Sequence, residues 1–525
     1  MPNRNGSAPC KRRHIVLIPG FGGFDALGRV NYYAGITELF QRWSDANPQA
    51  GAVLHYFDNL PTAAVVTRAQ RLRNYLAKRM ARSEIRRDDD VILIGHSTGG
   101  LDIRQLIWDL RPDDAKNAPI RVDGGRGIEA EDLRHCFKKV VFLSVPHWGT
   151  NIAEWVYRRA ALRKTVIATL RAAFEGSELY LLDRIEAGLA DGAAALTDAE
   201  VFLALRDALT EANYDCSRDP SRIADALEAA SELGLYFREM ASDFHVIHDL
   251  TPESHSREPS PAHFPCDQRE AELELWADLE IDCLSYATVG GRAFTFRSGC
   301  PAPMFNLTNP LDDLKVAQAY GQAADTDISY RLCYRACTGG PLGYPKGVGK
   351  IARVLGPRPP EPLELWDNDG IVNTVSMLWP EGEIALVQAD HMDIVGHFRL
   401  TPAEMETHSA ADEPPPASRS YDILRSAPKF ERQTFEAVWG EIFRFAAMPD
   451  AYRPAATGLH RPVTIAAAAS GTAVMNTQVN VGQVNTTGET GGLEAIRQLA
   501  LALAKLERAK PLLEASGAAD AQPRE

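Results

Sequence analysis

Gly95-His96-Ser97-Thr98-Gly99 is a G-x-S-x-G pentapeptide. It lies between the apolar run Val91–Ile94 and a stretch that reads as a helix from about Gly100 to Leu110. A serine on a sharp strand-to-helix turn is presented at the helix N-terminus, and glycines beside it let the crowded backbone close, which is the geometry of a nucleophile elbow. A serine hydroxyl is a weak nucleophile until a base takes its proton, and the base needs an acid to orient it. On such a sheet the three follow the chain order Ser, acid, His. Only His391 and the histidines after it leave room for an intervening acid at a strand end. Asp390-His391 follows the apolar run Ile384–Val387, and the polar turn Trp366–Gly370 sets Asp369 beside a glycine. The 22 residues from Asp369 to His391 suffice for a hairpin-like excursion back to the same sheet end. Asp367 stays open as the acid and His397 as the base. The tetrahedral intermediate also needs N–H donors for its oxyanion. Thr98, next after the serine, supplies one, and Phe21 in the glycine loop Pro19–Gly22 is the candidate for the other.

The elements that must position these groups alternate. His14–Ile18, Val53–Phe57, Val91–Ile94, Val140–Leu143, Cys283–Val289 and Ile384–Val387 read as strands. Most are continuous apolar runs, as expected of a parallel sheet covered on both faces. Thr67–Arg82 reads as a helix with Ala69, Leu72, Leu76 and Met80 inward and a basic face in solvent. Phe430–Met448 reads as a closing amphipathic helix. The segment 401–420, rich in Pro, Ala and acid, reads as a loop.

Composition narrows the function. The chain has 525 residues with 56 Lys+Arg against 70 Asp+Glu, a net charge of −14, which leaves no electrostatic footprint for nucleic acid. At 45% apolar and 24% charged residues it is an ordinary globular composition rather than a disordered one. No run reaches the roughly 18 apolar residues that span a bilayer. No apolar signal segment precedes the first strand, so the expectation is a cytoplasmic protein, with export by a leaderless route left open. Eight cysteines do not make a disulfide framework in a chain this long. Cys333 and Cys337 have no second pair in metal-finger register and read as buried free thiols.

Six segments together resemble the true lipases of the α/β-hydrolase superfamily, of the Pseudomonas/Burkholderia and Geobacillus/Staphylococcus types. They are IPGFGGFDALGRVNYYAGI (18–36), VILIGHSTGG (91–100), VVFLSVPHWGT (140–150), LSYATVGG (284–291), NDGIVNTVSM (368–377) and DHMDIVG (390–396). The resemblance covers most of residues 14 to 400. It implies an α/β-hydrolase fold in which Ser97 is the nucleophile, Asp369 the acid and His391 the base, with Phe21 and Thr98 as oxyanion donors. It implies a lipid ester as substrate, transient contact with a lipid surface, and no redox cofactor or nucleotide. Family members usually carry His-Gly where this chain has Pro19-Gly20. They commonly hold a structural calcium with a carboxylate two residues after the catalytic histidine, a position filled here by Asp393; the second carboxylate has no clear match upstream. The His-rich zinc insertion of the Geobacillus type is missing, since no histidine occurs from 56 to 95.

The expected organisation is an α/β-hydrolase domain over 1–448, with a helical insertion at 152–282 where the family has its lid. Amphipathic helices there could close over the serine or pack as a larger cap. Residues 449–492 read as a low-complexity linker, 493–515 as an amphipathic helix and 516–525 as a disordered tail. The stripe Leu493, Ile496, Leu499, Leu503 and Leu506 must dock on the body, a second copy or another protein, because an isolated helix of that length is marginal in water. The leading expectation is a serine lipase or esterase. Two alternatives stand beside it: a membrane-attacking phospholipase exported as a toxin, and a hydrolase-fold scaffold that binds a partner.

Overall fold

The computed structural model describes residues 11–23, 26–27, 30–112, 119–122, 127–158, 243–252, 269–290, 350–357, 362–363, 367–380, 383–398 and 430–447. Seven strands form its centre: β1 (Arg13–Ile18), β2 (Ala52–Tyr56), β3 (Asp90–His96), β4 (Phe137–Leu143), β5 (Asp282–Val289), β6 (Lys350–Leu355) and β7 (Glu383–Gln388). They pair in the order β6-β7-β5-β4-β3-β1-β2, and every pairing is parallel. Side chains alternate across such a sheet. Val16, Ile18, Val91, Leu93, Val140 and Phe142 pack on one face. Ile15, Leu17, Ile92, Ile94, Val141 and Leu143 pack on the other. Both faces are buried, which is why these strands read as unbroken apolar runs.

Helices α2 (Val65–Ala81) and α3 (Thr98–Asp109) cover the first face, while α1 (Ile36–Ala46) and the late helix Arg432–Ala447 cover the second. Phe40 meets Phe443 edge-on across those last two. Helix α2 starts at Val65, and the Val65 N–H donates to Asp249 Oδ2 at 2.8 Å. That carboxylate sits at the positive end of the helix. The basic face of α2 is only in part a solvent face. Arg71 is outside, but Arg68 falls in the inward stripe with Val65, Ala69 and Leu72 and is wholly buried, paired with Asp102. Strand β6 was not legible as a strand: it is a sheet edge, broken by Arg353, which reaches Glu441 at 2.6 Å.

The described parts of the 152–282 insertion belong to the body. Val246, Leu250, Leu275 and Trp276 share the core with β3 and β4. Arg104 of α3 grips Glu272 with two bonds of 2.8 and 2.6 Å. Residues 159–242 and 253–268, where lid helices are expected, lie outside the described residues. So do Cys333, Cys337, the 401–420 loop and everything from 448 onward. No described helix is long and apolar enough to cross a membrane.

Four buried imidazoles make stability depend on pH. His14 donates from Nε2 to Asp89 (3.2 Å) and so accepts at Nδ1 from His55 Nε2 (2.8 Å). Burial lowers the pKa of His14, against the pull of Asp89. It lowers His55 to about 4 and His397 to about 4, and holds His96 well below its ordinary value. A depressed histidine binds its proton more readily in the unfolded chain. Its contribution is therefore whole above about pH 6.5 and drains away as pH falls toward the folded value. Asp102 acts in the opposite sense, because burial raises its carboxyl to about 6. Four groups outweigh one, so the melting temperature is expected to drop by several degrees between about pH 7 and pH 4. A flat calorimetric profile over that range would refute this.

Candidate active site

Strand β3 ends at His96 and α3 begins at Thr98, so Ser97 alone makes the turn, at φ 54° and ψ −129°. A non-glycine residue there is strained and persists only where its surroundings hold it. The Ser97 N–H donates to Leu143 O (2.9 Å), and the Gly100 N–H to Ser97 O (3.1 Å). The flanking glycines are required by space. A Cβ on Gly95 would lie 2.6 Å from Gly100 N, and one on Gly99 would lie 2.4 Å from Ile18 O.

Asp369 and His391 meet. The His391 Nδ1 lies 2.6 Å from Asp369 Oδ2, and the His391 N–H donates to Asp369 O at 2.8 Å. The other carboxylate oxygen accepts the N–H groups of Ile371 (3.1 Å) and Val372 (2.8 Å). Thr288 Oγ lies 2.6 Å from Asp369 Oδ2 and 2.8 Å from Ser144 Oγ. The threonine proton goes to the carboxylate, so Ser144 donates to Thr288. A carboxylate only accepts, so His391 carries its proton on Nδ1 and leaves Nε2 bare. The link from Asp369 to His391 is not a hairpin. The chain passes through a 3-10 turn (Thr374–Met377) and the Trp379–Pro380 bend, then re-enters as β7, parallel to its neighbours.

The rival base serves elsewhere: His397 Nε2 donates to the carbonyl of Tyr32 at 3.1 Å. The Asp367 carbonyl accepts the Thr374 N–H at 2.7 Å within the same turn.

His96 brings His391 to the elbow. Its Nε2–H donates to the His391 carbonyl (2.9 Å), and the two ring centroids are 4.6 Å apart. Nδ1 is then bare and accepts from Tyr32 O–H at 2.7 Å. The loop after β1 presses on the serine, where a Cβ on Gly20 would lie 2.6 Å from Ser97 Cβ. The N–H groups of Phe21 and Thr98 donate to no group among the described residues. The Phe21 ring is the one large exposed apolar side chain among them, and it stands edge-on to Phe244.

Tyr32, His96, Ser144 and Thr288 were not singled out by the sequence. His96 and Tyr32 do stand inside the glycine-rich motifs. Thr288 and Ser144 share one signal, a polar residue at or just past the carboxyl end of an apolar strand.

Asp393 accepts the Asp390 N–H at 2.8 Å and so closes its own turn. Among the described residues no three His, Cys, Asp or Glu side chains gather to hold a metal ion. The melting temperature is expected to be the same with chelator as with added calcium; a rise with calcium would show a bound ion, which stabilises by mass action.

An all-parallel sheet with a serine on a strained strand-to-helix turn, and an Asp–His pair delivered by later loops to that turn, defines an α/β-hydrolase fold. No protein-family model matches the chain, and no curated protein does. Among solved structures it is similar to the Staphylococcus hyicus lipase, at 13% identity and a TM-score of 0.38, over 85% of this chain and 98% of that one. It is similar to EstA from Clostridium botulinum at 15% identity and a TM-score of 0.35, over 75% and 86%. Lipase 1 from Pelosinus fermentans matches at 15% identity and a TM-score of 0.35, over 74% and 94%.

Proposed function

We propose that the protein is a serine carboxylic-ester hydrolase acting on lipid esters. The observation that carries the reading is the buried 2.6 Å Asp369–His391 bond, with His391 held through His96 against the strained Ser97 turn. Ser97 Oγ attacks the ester carbonyl and His391 Nε2 takes its proton. Asp369 holds the imidazolium that forms. Phe21 and Thr98 N–H groups, which donate to no group among the described residues, receive the oxyanion. The intermediate collapses to an acyl-serine, and the departing alkoxide takes the proton back from His391. Water then attacks the acyl-serine, giving its proton to His391, and the carboxylic acid leaves as Ser97 is reprotonated.

The test is a panel of glycerides, phospholipids and short-chain nitrophenyl esters, with fluorophosphonate labelling of wild type and Ser97→Ala. Labelling and hydrolysis are expected in wild type alone. Equal labelling of both would overturn the assignment. Preference for phospholipid over glyceride would move the substrate class, not the chemistry.

A further inference from the structure

Arg68 is buried behind the loop that carries Phe21, and neither it nor Asp102 has any side-chain exposure. Its single guanidinium serves four neighbours. Nη1 donates to the Leu60 carbonyl. Nη2 donates to Pro19 O (2.9 Å) and Gly20 O (3.0 Å). Nε (3.1 Å) and Nη2 (2.9 Å) donate to Asp102. Asn59 Nδ2 completes the carboxylate at 2.9 Å, and the Asn59 N–H donates to Gly23 O at 2.7 Å. A planar fork with five donors can fix several acceptors at once, whereas an ammonium cannot.

The peptide plane gives this contact its consequence. In a trans peptide unit the carbonyl and the next residue's N–H point in opposite directions. Gly20 O is turned back, held by Arg68 and by the Gly23 N–H at 3.1 Å. The Phe21 N–H belongs to the same unit and is therefore turned the other way. That unit lies against Ser97, as the 2.6 Å from a Gly20 Cβ to Ser97 Cβ requires. A cation on the carbonyl also polarises the unit and strengthens the N–H as a donor. Asp102 stands on α3, one turn beyond Thr98, which carries the other donor. One ion pair thus ties the loop with the first donor to the helix with the second.

We propose that Arg68, held by Asp102, is a positioning residue that aims the Phe21 N–H and sets its distance from the Thr98 N–H. The proposal rests on the reading of Ser97 as a nucleophile. Burying an ion pair is a costly way to fill space, because apolar residues of similar volume often do so as well or better. Here the cation is needed to hold main-chain carbonyls of the loop.

The full-length chain is tested as Arg68→Lys and as Arg68→Met/Asp102→Asn, with kcat and KM on nitrophenyl butyrate and inhibition by an alkyl boronic acid that forms a tetrahedral serine adduct. The double variant buries no orphaned charge and keeps a partner for Asn59. Loss of one oxyanion donor costs about 10²–10³ in kcat. Each variant is expected to lose on the order of 10²-fold in kcat with KM nearly unchanged, and to bind the boronate weaker by a similar factor. A merely structural role would make activity follow melting temperature. Wild-type kcat in Arg68→Lys, or in a double variant that melts like wild type, overturns the proposal. Should the double variant not fold, Arg68→Lys, which keeps the charge and loses only the fork, decides alone. Wild type without Ser97-dependent hydrolysis would instead sink the underlying reading.

Discussion

Ser97→Ala is expected to remove ester turnover while leaving the fold in place. Loss of the nucleophile from a working triad costs on the order of 10⁴- to 10⁶-fold in kcat. The fold should survive because the turn is held by main-chain bonds, Ser97 N–H to Leu143 O and Gly100 N–H to Ser97 O, which the substitution does not touch. Alanine takes over the same strained φ of 54°. Ser97→Gly separates strain from chemistry. Glycine reaches positive φ without the Cβ penalty, so this variant is expected to be equally inactive yet to melt no lower than Ser97→Ala. Initial-rate kinetics and calorimetry on the two variants check both halves. Residual turnover near wild type in either would remove Ser97 from the chemistry.

Much of this site was legible because its parts obey local rules. The G-x-S-x-G turn needs small residues whatever surrounds it, and the clashes of a Cβ at Gly95 and Gly99 show why. An aspartate at a glycine turn and a histidine after an apolar strand are also local patterns. What joins them is not local. Thr288 on β5 reaches Asp369 across 81 positions, and Tyr32 reaches His96 across 64. One sequence carries no trace of such pairings. Strand β6 was missed because an edge strand with a charged residue paired to a covering helix, Arg353 to Glu441, has no continuous apolar run. Arg68 was the avoidable miss. Its spacing of three from Val65, and of one and four to Ala69 and Leu72, placed it inward; reading the basic residues of that helix as one solvent face hid it.

Asp369→Asn should fall nearly as far as the serine variant, by a different route. Asparagine keeps the shape of the side chain and an oxygen for the Ile371 and Val372 N–H groups. Its amide can donate to His391 Nδ1, where the carboxylate could only accept. The imidazole proton then moves to Nε2, the atom that must be bare to take the proton of Ser97. In serine hydrolases with this arrangement the same exchange lowers kcat by about 10⁴. The melting temperature should change little, since the turn keeps its bonds and Thr288 can rotate its hydroxyl. Asp367→Asn is the internal control. It leaves the His391–Asp369 pair at 2.6 Å untouched, so its turnover should stay within about tenfold of wild type. Kinetics of the two variants under one set of conditions decide between them, and the reverse ranking would move the acid to Asp367.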